Sequence, residues 1–483
     1  MPAALLALLL AGCATAPGSS YMRGQDVLHS WTQFGPDGVL SLRAVVPAGT
    51  NCPSADVDGV AQRMTLRAAA STSATVFAAN PAFNPPFAVA SCELGLPADT
   101  GQVHLAGRRV ALGQHPGQTR RIVVVGDTGC RIKVPASGAG DPVQDCSDPQ
   151  AWPWARIAAA AARTNPDLII HLGDYHYREY CDDPLRCDRF RQSGTIIGYG
   201  WAGWQADFFA PAGSLLGQAP WVFVRGNHEN CDRSGEGWMR FLAPAAYVAC
   251  TDQRYRTPSR SLLSSNFTAD AYRINIDSEL GLVVADNAGH EDYRPASALP
   301  AELDLFRQTL AALRAAPAGQ RQWLLAHRPL WYDLLPPELP ENAFQAALHQ
   351  PPSTLQLVLS GHQHAFGTLA FRADADPERY PEGRPAQLIV GASGTQLESL
   401  DPKSPLYEGK DGAGSRERSA PDGRLYEGLA AASGIVLNRY GFLLLERDEG
   451  DWSGTVLDAD GVVLTRCRLK GEAKQFDCRF PGR

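Results

Sequence analysis

The 483-residue sequence has no Cys-x-x-Cys pair anywhere, which leaves the usual structural zinc modules without their ligand spacing. It has no polybasic block either. Lys and Arg number 44 against 51 Asp and Glu, and a net charge of -7 gives no electrostatic support for nucleic-acid binding. Beyond the first dozen residues no apolar stretch approaches the length of a spanning helix, so a multi-span membrane protein is excluded. Hydrophobic residues at 44% and charged residues at 20% lie near the averages of soluble globular chains, which excludes wholesale disorder. The length exceeds the roughly 250 to 300 residues at which one core stops growing, so one large domain with at least one smaller companion is expected.

No Lys or Arg precedes Arg23, so the cationic start of an export signal is lacking. The opening MPAALLALLLAGCATAPGSS does contain an apolar run, closed by Leu10-Ala11-Gly12-Cys13 and followed by a small, polar, Pro/Gly-containing tail. That suits a secretory signal better than a spanning helix, and ending the run on cysteine resembles a bacterial lipobox. Residues 1–20 are therefore expected to be a lipoprotein signal and tether. Cys13 would carry the lipid and make the only membrane contact, and the protein would be exported to a bacterial cell envelope. The cysteine count agrees, because eleven minus Cys13 leaves ten, an even number suited to an oxidising compartment. Sequential pairing would give Cys52 with Cys92, Cys130 with Cys146, Cys181 with Cys187, Cys231 with Cys250, and Cys467 with Cys478. Sequence alone does not choose among the connectivities.

Residues 25–116 carry short or alternating apolar runs broken by Pro and Gly, such as Val39 to Val46, and are expected to form an all-β domain. From about residue 120 to 483 the pattern changes. Buried strands at Ile122 to Val125, Leu168 to Leu172, Trp221 to Val224, Gly281 to Ala285, Gln322 to Ala326 and Leu355 to Leu359 alternate with helices near Trp152 to Arg163 and Leu303 to Ala315. An α/β layered fold follows. Residues 398–432, charged and rich in Gly, Pro and Ser, are expected to be a long surface loop, and hairpin strands are expected around Asp458-Ala-Asp-Gly461.

The chemistry sits at strand ends. Apolar runs lead into Gly126-Asp127-Thr128-Gly129, Gly173-Asp174-Tyr175-His176-Tyr177, Gly226-Asn227-His228-Glu229, Ala326-His327 and Gly361-His362-Gln363-His364. In an α/β sheet the carboxyl ends of strands converge on one crevice, so oxygen and imidazole ligands more than two hundred positions apart would meet there. Each motif alone is commonplace, since Gly-Asp is a frequent turn and His-x-His often lies on a sheet face. The set of five in this order resembles the calcineurin-like metallophosphoesterase superfamily. Tyr177, three residues after Asp174, narrows the resemblance to purple acid phosphatases, over about residues 121–395.

That resemblance implies a four-layer sandwich of two mixed β-sheets flanked by helices, and two adjacent metal ions. Asp127, Asp174, Tyr177 and His364 would hold one ion, and Asp174, Asn227, His327 and His362 the other, with Asp174 bridging. Carboxylate, phenolate and imidazole without thiolate suit Fe(III) paired with Zn, Mn or Fe(II). Only a strongly acidic cation displaces a tyrosine proton of pKa about 10, which favours Fe(III) beside Tyr177. The implied activity is metal-dependent hydrolysis of a small phosphomonoester, with hydroxide held between the ions attacking phosphorus in line. His228, by resemblance, would hydrogen-bond the phosphoryl group. Glu229 is expected to brace the loop or His228. The same metals would equally serve a phosphodiesterase or nucleotide pyrophosphatase, and a reading of another class is an envelope binding protein with a degenerate site.

Arg178, Arg225 and Arg328 each adjoin a motif and could receive a substrate anion, or hold loops through salt bridges. Tyr199, Trp201 and Trp204 could rim the site or pack beneath the β domain. His29, His104, His115, His171, His290 and His349 lack ligand spacing and are expected to be ordinary surface or core histidines. One departure from the family stands out. Purple acid phosphatases generally place a further histidine shortly after the His327 position, whereas here none follows before His349. His228, Asp333, Glu338 or a metal-bound water are the available proton donors.

Overall fold

The structure is a computed structural model that describes residues 27–71, 86–113, 119–132, 144–179, 195–250, 270–290, 295–298, 300–331, 341–372, 374, 376–397, 415–418, 424–425, 429–448, 451–470 and 474–479. Strands Arg121–Val125, Leu168–His171 and Trp221–Phe223 lie parallel and adjacent within an eleven-stranded sheet. Both faces of these β-branched runs are covered, as continuous rather than alternating hydrophobicity requires. Ile122, Val124, Leu168, Ile170 and Val222 pack into one core with Leu282, Trp323, Leu357 and Leu388 of a second, nine-stranded sheet. Their alternate neighbours Val123, Val125, Ile169 and Phe223 pack instead with Trp154 and Ile157 of helix Trp154–Ala162.

The second sheet repeats the scheme. Leu280–Val284, Arg321–Leu325, Leu355–Ser360 and Ala386–Val390 run parallel in chain order. Val283, Leu324 and Val358 turn outward against Phe306 and Leu313 of helix Pro300–Arg314 and against Phe344 of helix Ala343–Ala347. Two sheets face to face with helices outside make the expected four layers. Each fully buried Val, Ile or Leu of this array contributes about 1.5 to 3 kcal/mol relative to exposure.

The region 29–110 is all-β, as expected. His29–Phe34 pairs in parallel with Trp221–Phe223, and Leu40–Pro47, Val89–Leu96 and Thr65–Ala68 continue antiparallel beyond it, extending the first central sheet. Ser54–Val57, Val60–Arg63, Val103–Leu105 and Arg108–Val110 form a separate four-stranded sheet. At the other edge, Gly441–Asp448 pairs antiparallel with Arg121–Val125, and the hairpin Asp451–Asp458 and Val463–Lys470 follows it.

One expectation is corrected. The span 398–432 is not all loop, because Ser415–Arg418, Arg424–Leu425 and the start of Leu429–Leu437 are strands of the second sheet. Ser415–Arg418 is an edge strand, where backbone pairing tolerates a charged sequence that side-chain patterning would not flag. Four of the five sequential disulfides are present, joining Cys52 to Cys92, Cys130 to Cys146, Cys231 to Cys250 and Cys467 to Cys478. The expected Cys181 to Cys187 bridge and the amino-terminal segment with Cys13 lie outside the described residues. Among the described residues no helix is long and apolar enough to cross a membrane.

Candidate metal centre

The seven residues expected as ligands meet at the carboxyl ends of the parallel strands of both sheets. Asp127, Asp174 and His362, each just past a strand, have left-handed backbone with φ of 54°, 58° and 70°. Such conformations cost non-glycine residues about 1 to 3 kcal/mol and persist only where the surroundings enforce them. The turn bends each side chain back over its strand end. Glycine is required at two positions beside Asp174, since Gly173 has φ 100° and a Cβ on Gly226 would collide with the Asp174 carboxylate.

The side chains form two groups that share Asp174. Asp174, His327 and His362 present ligand atoms within 4.8 Å of one another, and so do Asp127, Asp174 and His364. Asn227 completes the first group, its Oδ1 lying 2.8 Å from His362 Nδ1 and 3.0 Å from His327 Nε2. Tyr177 completes the second, its Oη lying 2.6 Å from Asp174 Oδ2, 2.8 Å from His364 Nε2 and 3.4 Å from Asp127 Oδ1. The protons of the imidazoles are already committed elsewhere. His327 Nδ1 is 2.8 Å from the Leu172 carbonyl and His364 Nδ1 is 2.8 Å from that of Gln396, so each ring donates outward and turns a bare Nε2 inward. In the first group Asn227 Oδ1, His327 Nε2 and the Asp174 carboxylate are therefore three acceptors aimed at one another, an arrangement that a cation satisfies. The donor set fits a pair of hard or borderline metal ions.

The titration behaviour tells the same story. Burial, with Asp174 alongside, pushes the Asp127 carboxyl well above its ordinary range. Burial would also raise Asp174, but His327 and His228 hold it well below. Burial followed by the two carboxylates pushes the Tyr177 phenol well above its usual value, so without a metal it keeps its proton. Burial lowers His364 to about 4, and burial with Arg328 and His327 alongside holds His362 well below its ordinary value. Neutral His362 and His364 beside two buried carboxyls, one pushed up and one held down, are a poor way to end a strand unless a cation binds them.

Two buried carboxylates brace the loops. Glu229 accepts the backbone N–H groups of Asp174, Tyr175 and Gly226, which is the loop-holding part anticipated for it. Asp207 accepts those of Cys130, Tyr177 and Arg178 and the Arg178 guanidinium, tying the Asp127 loop to the Tyr177 turn. No sequence signal marked Asp207, which lies in an aromatic helix without any motif. Glu179 and Arg233 were missed for the same reason. His228 Nδ1 is 2.7 Å from Glu179 Oε1, the Arg233 amino group lies 2.6 and 2.8 Å from its two ring nitrogens, and the ring centroid lies 3.7 Å from that of Tyr177, tilted by 33°. Burial and then Arg233 lower His228 to about 4.

Residues 120–366 match the sequence model of the calcineurin-like phosphoesterases. The chain belongs to that family. The fold of this calcineurin-like phosphoesterase is similar to that of purple acid phosphatase PPD1 from yellow lupin (Lupinus luteus) seeds, with a TM-score of 0.53 at 14% identity over 91% of this chain and 73% of that one. A structure of PhoD aligns at a TM-score of 0.48 and 10% identity, over 97% of this chain and 95% of its own. No curated protein matches the sequence.

The remaining candidates take their ordinary roles. His171 bonds Thr128 Oγ1, His29 bonds Gln205, His290 contacts Glu302 and His349 contacts Glu341. Trp201 and Trp204 pack with Phe209 and Phe241 beneath the amino-terminal strands, so the second of their two expected placements holds. His115, Asp333 and Glu338 lie outside the described residues.

Proposed function

We propose that this calcineurin-like phosphoesterase hydrolyses phosphomonoesters on two metal ions, in the manner of an acid phosphatase. The observation that carries the reading is the sharing of Asp174 between two ligand groups. Asp127, Asp174, Tyr177 and His364 would hold one ion and Asp174, Asn227, His327 and His362 the other. When bound, two ions clamp the attacking and leaving oxygens of an in-line displacement and lower the pKa of a shared water. The chain supplies the rest. Asp174 would be a ligand to both ions, His327 and His364 are turned by the Leu172 and Gln396 carbonyls, and Glu229 and Asp207 keep the turns from relaxing. His228, placed beside Tyr177 and held by Glu179, borders the position where a phosphoryl group would sit.

Tyr177 favours Fe(III) in the first position, because a phenol this buried surrenders its proton only to a strongly acidic cation. Zn, Mn or Fe(II) suits the second. Export to an oxidising envelope as a lipid-anchored protein is supported by the four disulfides and by the Leu-Ala-Gly-Cys13 sequence. The test is metal analysis joined to rates on paired aryl monoester and diester substrates. Two ions per chain with monoester preference supports the reading, diester preference replaces it with the phosphodiesterase, and a metal-free inert protein refutes both.

A further inference from the structure

Of the three arginines that adjoin the ligand motifs, Arg178 is tied to Asp207 at 2.6 Å, and Arg328 lies 3.3 Å from the Ala288 carbonyl and 3.2 Å from His362 Nε2. Arg225 is only half engaged. Its Nε donates to both carboxylate oxygens of Asp286, at 3.0 and 3.1 Å, so one end of the guanidinium is satisfied. The opposite edge is not. NH1 and NH2 are both buried without a hydrogen-bond partner, in a residue only 2% exposed. Buried donors left unpaired are costly and few in native proteins, so a pair of amino groups on one guanidinium calls for an acceptor.

The surroundings say what that acceptor is. Arg225 lines a cavity of about 30 Å³ where helix Gly235–Phe241 meets the ends of strands Trp221–Phe223 and Leu280–Val284. Phe223, Trp238, Met239 and Val284 make its walls apolar. Tyr272 Oη is a further buried atom there without a partner, and burial, then Asp286, raise its phenol above the ordinary value, so it keeps its proton. The unpartnered groups can therefore all donate. Such a volume takes about two waters or one carboxylate. Half-buried Pro244 and exposed Ala245 and Ala246 carry the apolar lining out to the surface. Asp286 and the exposed Asp270 also border the cavity, which disfavours a dianion such as phosphate.

We propose that this cavity binds a small monocarboxylate with an apolar body, its carboxylate held by the NH1 and NH2 edge of Arg225 and by Tyr272 Oη. The planar fork of a guanidinium matches the two oxygens of a carboxylate in geometry and charge. The apolar body lies along Pro244, Ala245 and Ala246. None of the seven metal-ligand candidates lines the cavity, so the site is separate from the metal centre and does not depend on the phosphoester reading.

The experiment measures binding of phenylacetate, acetate and orthophosphate by calorimetry to the full chain as purified and after chelation, for wild type, Tyr272→Phe and Arg225→Lys. Phenylacetate should bind wild type with the same affinity before and after chelation, and about 10-fold or more tighter than acetate because the apolar walls reward its ring. Orthophosphate should bind the chelated protein more weakly than phenylacetate. Tyr272→Phe removes a hydroxyl that has no protein partner, so the urea midpoint should hold while phenylacetate weakens roughly 10- to 100-fold, the worth of a hydrogen bond to a charged group. Arg225→Lys keeps a cation beside Asp286 but lacks the fork, and should weaken phenylacetate at least as much. The proposal is overturned by wild type that shows no saturable phenylacetate binding, by equal affinity in Tyr272→Phe and wild type, by a preference for orthophosphate after chelation, or by binding that vanishes on chelation. Each readout is binding at this cavity, so the outcome is independent of whether the chain hydrolyses phosphomonoesters.

Discussion

The carboxylate of Glu229 accepts the backbone N–H of Asp174 at 2.9 Å, so the shared carboxylate is held in place by a residue from the neighbouring strand end. The same group accepts the N–H groups of Tyr175 and Gly226 at 3.0 Å each. With the His176 N–H at 3.3 Å, Glu229→Ala removes the acceptor of four buried donors, at about 1 to 3 kcal/mol for each left unpaired. Urea unfolding of the metal-free protein should lose at least about 3 kcal/mol, and bound metal should fall below one ion per chain. A loss under about 1 kcal/mol with both ions retained would make Glu229 a space filler.

Tyr177 should release a proton when its metal enters. Burial and the Asp127 and Asp174 carboxylates hold its phenol well above the usual value, so the group is protonated at neutral pH in the metal-free protein. Ferric loading should therefore tighten as pH rises and give a visible phenolate band. Calorimetry in buffers of different ionisation enthalpy should count about one proton fewer for Tyr177→Phe than for wild type, and the band should vanish. Colour that survives the substitution assigns Tyr177 to packing alone.

The strand-end chemistry was legible because parallel strands make a short apolar run followed by glycine and a polar residue, and the topology then gathers those ends. Asp127, Asp174, Asn227 and His362 each follow such a glycine directly, His364 comes two residues after His362, and His327 ends its strand after Ala326 without one. Tyr177 needed the family resemblance, since Tyr175 in the same turn points the other way and stacks on His171 at 4.0 Å. Asp207, Glu179 and Arg233 were invisible because a carboxylate that accepts loop amides, or an ion pair that grips a histidine, leaves no periodic trace. The edge strand Ser415–Arg418 was missed on similar grounds, as its pairing with Leu429–Leu437 is made by the backbone.

The disulfides make a separable prediction. Cys92 lies in the fully buried middle of Val89–Leu96, bridged to Cys52 across 40 residues. Native protein should show the eight cysteines of the four bridges blocked to alkylation, and replacing Cys52 and Cys92 by serine should cost about 2 to 5 kcal/mol in reversible unfolding. Free thiols at these positions in protein recovered from its own compartment would contradict both the bridges and the export reading.

The last prediction concerns the leaving group. After His327 no histidine occurs before His349, and His349 Nε2 is occupied 2.6 Å from Glu341. His228 is the histidine nearest the metal groups that is not needed as a ligand, and its surroundings disqualify it as a proton donor. Its Nδ1 faces Glu179, Arg233 lies against both ring nitrogens, and burial with that arginine lowers it to about 4. Between pH 5 and 8 the ring is therefore neutral, with its single proton engaged by Glu179. General-acid help is worth about 10²- to 10⁴-fold, and it matters most where the departing alkoxide is a strong base. The enzyme should thus favour aryl esters and phosphoanhydrides over alkyl phosphates. A plot of log kcat/KM against leaving-group pKa should be steep for wild type and keep the same slope in His228→Ala, with only a uniform drop of about tenfold from the lost support of the phosphoryl site. A shallow wild-type line that steepens in His228→Ala would identify His228 as the acid and would show that its proton, despite burial and Arg233, reaches the departing oxygen.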